Sequence, residues 1–532
     1  MPHPDLPRCL NAARPLLLLA ACLALPLPAQ EFDLVLRGGR LVDGTGAPAR
    51  TGDVALRGDR IAAVGVIPGR GREEIDVQGQ VIAPGFIDVH THSEDITSIP
   101  VAENFLRMGV TTIVTGNCGT SRTDVAGFLE SVAQARTGVN VATLLGQGSV
   151  RGQVMGGSFL RPPTAEELER MKALVDQGMK EGALGLSTGL IYLPGTFTKT
   201  EELIDLARVA ARHGGLYVSH MRAETVKIFD ALDELIRIAR EAEIRAQVSH
   251  LKLSGPAAWG RTDEVLAKLA AARASGLDIG QDQYVYTASS TSIATLVPNE
   301  AREGGAEAFR QRLRDPARKA AIIAEMRRTL ENGKRGDYTY AVIASYPRNP
   351  ALNGKTIPEA SEILGRSRSL EDQIETVLEI AAEGTASGIF HGMHEGDLRR
   401  FLVQPETMFA SDAGPRRLGH AVPHPRGYGN NARLLGRYVR ELGLLGLEEG
   451  VRKMTSLPAR TFRLRNRGEL KPGFVADVVL FDPAKVEDPS KFDDPHHYAK
   501  GFTDVIVNGV AVIRDGAVTP ARPGRPVRLQ DE

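Results

Sequence analysis

Hydrophobic and polar residues follow two different patterns along this chain. Near both ends, in residues 32–43 and 476–482, apolar residues tend to occupy every second position, which is typical of half-buried β-strands. In the middle, short apolar runs such as residues 111–115 alternate with stretches of helical periodicity. One of these stretches begins with the capping-box signal Thr164-Ala165-Glu166-Glu167. The middle of the chain therefore predicts alternating strands and helices.

This alternation predicts an α/β fold in which residues 83–465 form a (β/α)₈ TIM-like barrel. The β-rich ends, residues 30–82 and 466–532, predict a small β-sandwich domain to which both termini contribute. Residues 298–365 are charged and partly helical, and they separate the last two candidate strands. We therefore predict an insertion at about 298–365 that lies over the mouth of the barrel as a lid.

The first 29 residues have the pattern of a segment that is removed on export. Two arginines precede a run of Leu, Ala, Cys and Pro over residues 16–29, which is too short for a comfortable membrane span. This pattern predicts a signal peptide cleaved near Ala29 and a periplasmic or secreted protein without a membrane span after cleavage. Lipoprotein processing at Cys22 and an uncleaved anchor, which the prolines of the run disfavour, are the alternatives.

Composition excludes one class of partner. The 532 residues carry 65 basic and 65 acidic side chains, so the formal net charge is zero and gives no electrostatic case for nucleic-acid binding. Hydrophobic and charged fractions of 42% and 24% are ordinary for a globular protein, and the length suffices for a barrel and a smaller unit. A small-molecule substrate is expected, and the sequence leaves the oligomeric state open.

Two histidines one residue apart end the most informative apolar run. Residues 81–92 predict a short buried strand followed by His90 and His92. Side chains at i and i+2 of a strand leave on the same face, so both imidazoles can reach one metal ion. Four further potential ligands each follow another apolar run: Cys118, His220, His250 and Asp412. Because a (β/α)₈ barrel places its chemistry at the C-terminal ends of its strands, these side chains predict one metal site.

Each potential ligand also has an ordinary structural explanation. A lone buried histidine is usually a hydrogen-bonded core residue, a cysteine a small buried hydrophobe, and an aspartate after a strand a helix cap. The cysteine count argues against this explanation for Cys118. The other two cysteines, Cys9 and Cys22, lie in the removable segment, so cleavage near Ala29 leaves Cys118 without an intramolecular disulfide partner. A thiolate beside histidines suits zinc.

Longer motifs surround these residues. They are Ala-Pro-Gly-Phe-Ile-Asp-Val-His-Thr-His (83–92), Gly-Val-Thr-Thr-Ile-Val-Thr-Gly-Asn-Cys-Gly (109–119), Gly-Leu-Ser-Thr-Gly-Leu-Ile-Tyr (185–192), Ser-His-Met-Arg (219–222), Ser-His-Leu-Lys (249–252), Ser-Asp (411–412) and His-Pro-Arg-Gly-Tyr-Gly (424–429). Together they resemble the N-acyl-D-amino-acid deacylases (D-aminoacylases) of the amidohydrolase superfamily, over nearly the whole chain after the signal. Gly-Asn-Cys-Gly is the most specific motif for this subgroup. Hydantoinases and dihydroorotases typically carry a bridging carboxylated lysine at strand four, which residues 183–187 lack.

The resemblance implies a zinc-dependent enzyme that hydrolyses the amide bond of N-acyl-D-amino acids to a carboxylate and a free D-amino acid. It implies a tight zinc site formed by Cys118, His220 and His250. It implies a weaker second position formed by His90, His92 and Asp412. Asp412 would also be the catalytic proton shuttle between the attacking water and the leaving nitrogen. The matching substrate-binding positions are Lys252, Tyr284 and Ser290, with Tyr192 and Arg426 nearby.

The sequence also suggests a preference among D-amino acids. Residues 292–297, after the proposed carboxylate-binding Tyr284 and Ser290, contain no Arg or Lys. Burying an unpaired carboxylate against Leu296 costs on the order of several kcal/mol, so apolar D-residues should be preferred over acidic ones. Arg426 or an arginine of the insertion would reverse this by entering the pocket. The alternatives are a dipeptidase or cyclic amidase on the same frame, and a non-catalytic scaffold, whose signature would be lost metal ligands.

Overall fold

The computed structural model describes residues 31–531 together with Met1. The predicted signal peptide, with Cys9 and Cys22, lies outside the described residues apart from Met1, so export stays a prediction. Within the described part, none of the helices is both long and apolar enough to pass through a bilayer. The predicted barrel, the small domain and the insertion all lie within the described residues.

The described chain begins with strands and continues as an alternation of strands and helices. The first strands are β1 (Phe32–Leu41), β2 (Arg50–Arg57), β3 (Arg60–Gly65), β4 (Gly71–Asp76) and β5 (Val81–Pro84). The next strands are β6 (Phe86–Asp88), β7 (Val110–Thr115), β8 (Asn140–Thr143), β9 (Leu145–Gly146), β10 (Gly185–Gly189), β11 (Leu216–His220), β12 (Arg245–Val248) and β13 (Ile279–Gln283). The helices among them are α1 (Glu103–Leu106), α2 (Val125–Ala135), α3 (Gln147–Met155), α4 (Ala165–Lys180), α5 (Thr200–Arg212), α6 (Ile228–Glu241) and α7 (Thr262–Ala274).

The second half contains an inserted unit and the last barrel elements. The inserted elements are β14 (Ala288–Ser292), α8 (Gly305–Arg314), α9 (Pro316–Asn332), β15 (Ala341–Ser345), α10 (Ile357–Ile363), α11 (Leu370–Glu383) and β16 (Ser387–His391). They are followed by α12 (Glu395–Leu402), β17 (Thr407–Phe409), α13 (Arg426–Arg433), a π-helical stretch (Leu434–Glu441), α14 (Leu447–Met454) and α15 (Ser456–Thr461). The last strands are β18 (Val478–Phe481), β19 (Phe502–Val507), β20 (Val510–Arg514) and β21 (Ala517–Val518).

Eight parallel strands form the barrel: β6, β7, β8, β10, β11, β12, β13 and β17. Backbone hydrogen bonds close it: the Asp412 N–H donates to the His90 carbonyl at 2.9 Å, and the Leu184 N–H donates to the Thr143 carbonyl at 2.8 Å. Strands β7 and β11 are buried at every residue, as expected for parallel strands between helices and a filled barrel interior. The predicted (β/α)₈ barrel is confirmed.

The capping box at the start of α4 is a local example of sequence determining structure. The Glu167 N–H donates to Thr164 Oγ1 at 3.1 Å, and the Thr164 N–H donates to Glu167 Oε2 at 2.7 Å. Two backbone donors that the first helical turn leaves unpaired are thereby satisfied. The helix starts after Thr164, as the sequence predicts.

The small unit draws its strands from both ends of the chain. Strand β18 pairs antiparallel with β5, which joins the C-terminal strands β18–β21 to the N-terminal strands β1–β3 in one hydrogen-bonded sheet. Strand β1 pairs with β2 on one side and with β4 and β5 on the other. Side chains of both ends, including Leu36, Val54, Val478 and Ile506, share a buried core. The predicted second domain is thus built from both termini.

The inserted unit is larger than residues 298–365. It leaves the barrel at β14 and returns after β16, and these strands form the three-stranded antiparallel sheet β14-β16-β15. Helices α8–α11 pack on this sheet around a separate hydrophobic core that includes Phe309, Met326 and Ile374. The Thr291 hydroxyl donates to the Tyr192 hydroxyl of a barrel loop at 3.2 Å, so the unit lies against the C-terminal mouth of the barrel.

Candidate metal centre and active site

The backbone turns sharply where three of the six potential ligands follow their strands. Cys118, His250 and Asp412 have φ values of 53°, 35° and 50°, in the left-handed region that non-glycine residues rarely adopt. Such residues cost about 1–3 kcal/mol each and persist only where the surroundings hold them. Here the His250 N–H donates to Asp282 Oδ1 at 2.8 Å, and the Asp412 N–H is tied to the neighbouring strand. These three strained positions therefore lie at the same edge of the barrel as the other candidate ligands.

The Gly-Asn-Cys-Gly motif fixes the position of Cys118. The Asn117 side-chain amide donates to the carbonyls of Val89 and Val114 at 3.2 and 3.0 Å, which joins the loops after β6 and β7. A Cβ at Gly119 would lie 2.7 Å from the Gly189 nitrogen, so only glycine allows this close approach of β10. The motif therefore holds the thiol at the mouth of the barrel.

The Cys118 thiol faces three imidazole rings. Its Sγ lies 3.3 Å from His90 Nε2, 3.7 Å from His220 Nδ1 and 3.7 Å from His250 Nε2, and all four side chains are buried. Burial alone would raise the pKa of the thiol, but His90, with hydrogen bonds from His220 and His250, holds this pKa well below its ordinary value. Cys118 is therefore poised to be a thiolate, the form that binds metals.

This donor set fits a zinc ion. A thiolate and neutral imidazoles are the ligands that Zn²⁺ prefers in proteins. Cys118 is a free cysteine, so its sulfur is available as a ligand. Cys118, His90 and His250 also offer donor atoms that lie within 4.8 Å of one another. Cys118 Sγ lies 3.7 Å from both His220 and His250, the two other predicted tight ligands, but the compact group that contains Cys118 has His90 in place of His220.

The remaining predicted ligands form a second cluster beside the first. Asp412 Oδ1 lies 3.1 Å from His92 Nε2 and 3.6 Å from His90 Nε2. Its other oxygen, Oδ2, lies 2.8 Å from Nη1 of Arg426. Burial would raise the pKa of this carboxyl, but Arg426 and His90 outweigh burial and hold the pKa well below its usual range. Asp412 is therefore an ionised carboxylate directed at the metal cluster.

An open cleft of about 420 Å³ leads to both clusters. Three predicted substrate-binding side chains, Tyr192, Lys252 and Ser290, line it together with Asp412. The other two lie just beneath, where the Arg426 guanidinium packs over the Tyr284 ring with its carbon 4.6 Å from the ring centre. Three of the five predicted substrate-binding residues therefore line the cleft, and Arg426 and Tyr284 adjoin it through the contact of Arg426 with Asp412.

The chain is similar to known hydrolases over most of its length. Residues 73–513 match the amidohydrolase family. A D-aminoacylase of Alcaligenes xylosoxydans xylosoxydans is 35% identical over 93% of this chain and 97% of its own length. This chain belongs to the amidohydrolase family, in its D-aminoacylase group. The prediction of an enzyme that hydrolyses amides is thereby confirmed.

Solved structures give the same relationship. A D-aminoacylase crystal structure matches this amidohydrolase with a TM-score of 0.80 and 36% identity, covering 93% of this chain and 100% of the other. An N-acyl-D-glutamate deacylase from Bordetella bronchiseptica matches with a TM-score of 0.80 and 32% identity, covering 94% and 100%. That structure holds zinc and a phosphonate inhibitor that mimics the tetrahedral intermediate. Metal binding is thus a property of the relatives.

Sequence reasoning missed two carboxylates that lie beside the histidine rings. Asp282 Oδ1 lies 3.2 Å from His90 Nδ1, and Glu224 Oε1 lies 2.9 Å from His250 Nδ1. A carboxylate on one ring nitrogen fixes the tautomer and leaves the other nitrogen for a metal. Asp282 stands near the end of β13, where the barrel rule would have indicated it. Glu224 follows His220 by four residues in a loop, and its role needs the tertiary contacts.

Glu224 also explains why Lys252 is not a free cation. The Lys252 ammonium lies 2.5 Å from Glu224 Oε1 and 2.9 Å from His250 Nδ1, and both side chains are buried. The two opposite charges balance each other in the low-dielectric interior. Burial would raise the Glu224 pKa, but Lys252 and the two histidines lower it far below the ordinary value. Lys252 therefore faces the cleft as one half of a buried ion pair with Glu224.

Replacing Glu224 by glutamine is expected to weaken zinc binding roughly 10–100-fold, because such supporting carboxylates raise the basicity of the histidine that they orient. The affinity is measured by competition with a chelator. A matched control is Glu234→Gln, which breaks the Arg222–Glu234 ion pair (2.8 Å) without touching a histidine. Equal zinc affinity in Glu224→Gln and Glu234→Gln would contradict the orienting role.

Proposed function

We propose that this amidohydrolase is a zinc-dependent N-acyl-D-amino-acid deacylase that releases a carboxylate and a free D-amino acid. The observation that carries the proposal is the buried cluster of Cys118, His220 and His250 beside the ionised Asp412. The likeness to D-aminoacylases over most of the chain supports the substrate class. In this proposal the cluster holds the tight zinc ion, and His90, His92 and Asp412 form a weaker second position.

The proposed reaction uses Asp412 as the base. When bound, a zinc ion supplies Lewis acidity that makes water a nucleophile near neutral pH. Asp412 accepts the proton of the attacking water at Oδ1, the oxygen that faces His90 and His92, and returns it to the leaving nitrogen. Arg426 holds the other carboxylate oxygen, so the orientation of Asp412 is fixed before the substrate arrives.

We propose that the substrate α-carboxylate binds close to Arg426. Arg426 is buried, and its Nη2 donates to the Ser290 carbonyl at 3.3 Å, which holds the guanidinium at the floor of the cleft. The hydroxyls of Ser290 and Tyr284 would add neutral hydrogen-bond donors to this carboxylate. Tyr192 and Lys252 would form the opposite wall of the binding site. These groups surround Asp412, so a carboxylate bound there would leave the amide carbon near the metal cluster.

The proposed side-chain preference has one supporting and one opposing observation. Leu296, Leu330 and Phe390 line the cleft and support apolar side chains. Acidic side chains are expected to be disfavoured only if no basic residue lines the cleft beside Leu296. Arg335, an arginine of the insertion, lines the same cleft. The preference for apolar D-residues therefore stays untested.

The proposal is tested by screening purified enzyme against N-acetyl-D-amino acids, their L-enantiomers, a dipeptide and a hydantoin, with metal analysis of the same sample. We expect hydrolysis of the N-acetyl-D-amino acids, slower or no hydrolysis of the L-forms, and zinc in the active sample. Turnover of the hydantoin or the dipeptide with inert N-acetyl-D-amino acids would replace the proposal by a cyclic amidase or a dipeptidase.

A further inference from the structure

One basic side chain of the catalytic cleft differs from the other two. Arg222, Lys252 and Arg335 line the cleft. Arg222 is paired with Glu234 at 2.8 Å, and Lys252 is paired with Glu224 at 2.5 Å. Within residues 31–531, no carboxylate oxygen lies within the 4.0 Å of an ion pair from the Arg335 guanidinium. The cleft thus contains one cation whose charge no protein group of the described chain balances.

Arg335 reaches from the insertion to the barrel. It follows α9, and its guanidinium carbon lies 3.6 Å from the centre of the Tyr340 ring, on which it stacks. A Cβ at Gly392 would lie 3.0 Å from Arg335 Nη2, and one at Gly255 would lie 3.8 Å from it. At Gly392 a Cβ would therefore crowd the guanidinium, whereas at Gly255 it would only make an ordinary van der Waals contact. The side chain is therefore held in one place, with its hydrogen-bond donors near the barrel loop.

That barrel loop connects Arg335 to the metal cluster. It begins at the ligand His250, passes Lys252 and Ser254, and reaches Gly255, whose N–H donates to the Gly392 carbonyl at 2.7 Å. Five residues of chain span at most about 18 Å, which sets an upper bound on the distance from His250 to the Gly255 end of the loop. Leu296 and Leu330 line the same cleft as Arg335. Asp412 lines this cleft too, so a substrate held at Asp412 occupies the same cavity that Arg335 faces.

We propose that Arg335 binds a second carboxylate of the substrate, in addition to the α-carboxylate. A guanidinium that is already held by stacking pairs with a planar carboxylate through two parallel hydrogen bonds. The second carboxylate has two chemical sources: the side chain of an acidic D-residue, or an acyl group that ends in a carboxylate, such as succinyl. In both, the methylene groups pack on Leu296 and Leu330. This inference rests on the proposed deacylase function and names its substrate class.

The test compares kcat/KM of the wild type and of Arg335→Met with three substrates: N-acetyl-D-Leu, N-acetyl-D-Glu and N-succinyl-D-Leu. Methionine keeps an unbranched side chain but removes the charge. We expect a loss of roughly 10–100-fold, the range of a charged hydrogen bond, with one dicarboxylate substrate and little change with N-acetyl-D-Leu. A lower kcat/KM with N-acetyl-D-Glu would show that Arg335 binds the side-chain carboxylate of the D-residue. A lower kcat/KM with N-succinyl-D-Leu would show that it binds the carboxylate of the acyl group.

A matched control is Arg328→Met on helix α9, the helix that Arg335 follows, where Arg328 pairs with Glu325 at the surface. It should leave all three rates unchanged. Equal losses with all three substrates, or no loss with either dicarboxylate, would overturn the role of Arg335 while leaving the deacylase function standing. A wild type that hydrolyses none of the three would overturn both.

Discussion

Replacing Cys118 by serine is expected to remove both the zinc that we propose to bind there and the hydrolytic activity. The serine hydroxyl stays protonated at neutral pH, and it cannot replace a thiolate that faces His90, His220 and His250 within 3.7 Å. The loss of zinc affinity should exceed the roughly 10–100-fold cost of losing a supporting residue. Zinc content and kcat are measured on the same preparations, before and after dialysis against a chelator.

Ser249→Ala is a suitable control for this prediction. Ser249 is buried beside the proposed ligand His250, and its hydroxyl has no hydrogen-bond partner within the described part of the chain. Its loss should leave zinc and turnover close to the wild type. A Cys118→Ser enzyme with a full complement of zinc and normal turnover would show that the thiol is only a packing residue.

The barrel was predictable because its signals are local. Parallel strands buried on both faces appear as short apolar runs, and β7 and β11 lie where such runs predict them. The capping box at Thr164 likewise fixes the start of α4 within four residues of sequence. The residues with left-handed backbone, such as Cys118, carry no comparable local signal, since the fold imposes that conformation.

The inserted unit was harder to delimit from the sequence. Its first and last strands, β14 and β16, flank the charged helices and are separated by more than ninety positions in the sequence, although they pair with each other in the folded chain. Gly388 and Ser387 are not the apolar residues that a strand pattern usually provides. Nothing local therefore distinguishes these strands from loop, and the sequence indicated only the helical, charged part of the insertion.

The metal cluster and its supporting residues were predictable to different degrees. His90, His220 and Asp412 each end or follow an apolar run, which is a local signal, and barrel geometry brings such positions together. Glu224 and Arg335 lie in loops, and their roles depend on contacts with His250 and with the cleft. The positive charge of Lys252 is balanced by Glu224, which is distant in the sequence, whereas the charge of Arg335 has no such partner among the described residues. Sequence periodicity carries no information about such pairing.

Replacing Asp412 by asparagine is expected to lower kcat by about 10²–10⁴-fold, the usual effect of losing a general acid–base group. Asparagine keeps the size of the side chain and an oxygen for His92, which lies 3.1 Å from Oδ1, but it cannot accept the proton of the attacking water. Cys118, His220 and His250 are unchanged, so the tight zinc should stay. The measurement is kcat, KM and zinc content of the same enzyme preparation.

Asp397→Asn provides the matched control for this prediction. Asp397, on helix α12, is also a buried aspartate, and it accepts hydrogen bonds from the Thr262 hydroxyl at 2.6 Å and from the Gly260 N–H rather than from any of the six candidate ligands. It reports the general cost of removing a buried negative charge, and its kcat should stay close to the wild type. Two outcomes would contradict the role of Asp412 as proton shuttle. One is a similar small loss of kcat in both variants, and the other is an Asp412→Asn enzyme that keeps more than about a third of the wild-type rate. Loss of zinc in Asp412→Asn would instead assign Asp412 to the tight metal site. The fall in kcat would then reflect the lost metal and could not be attributed to a lost base.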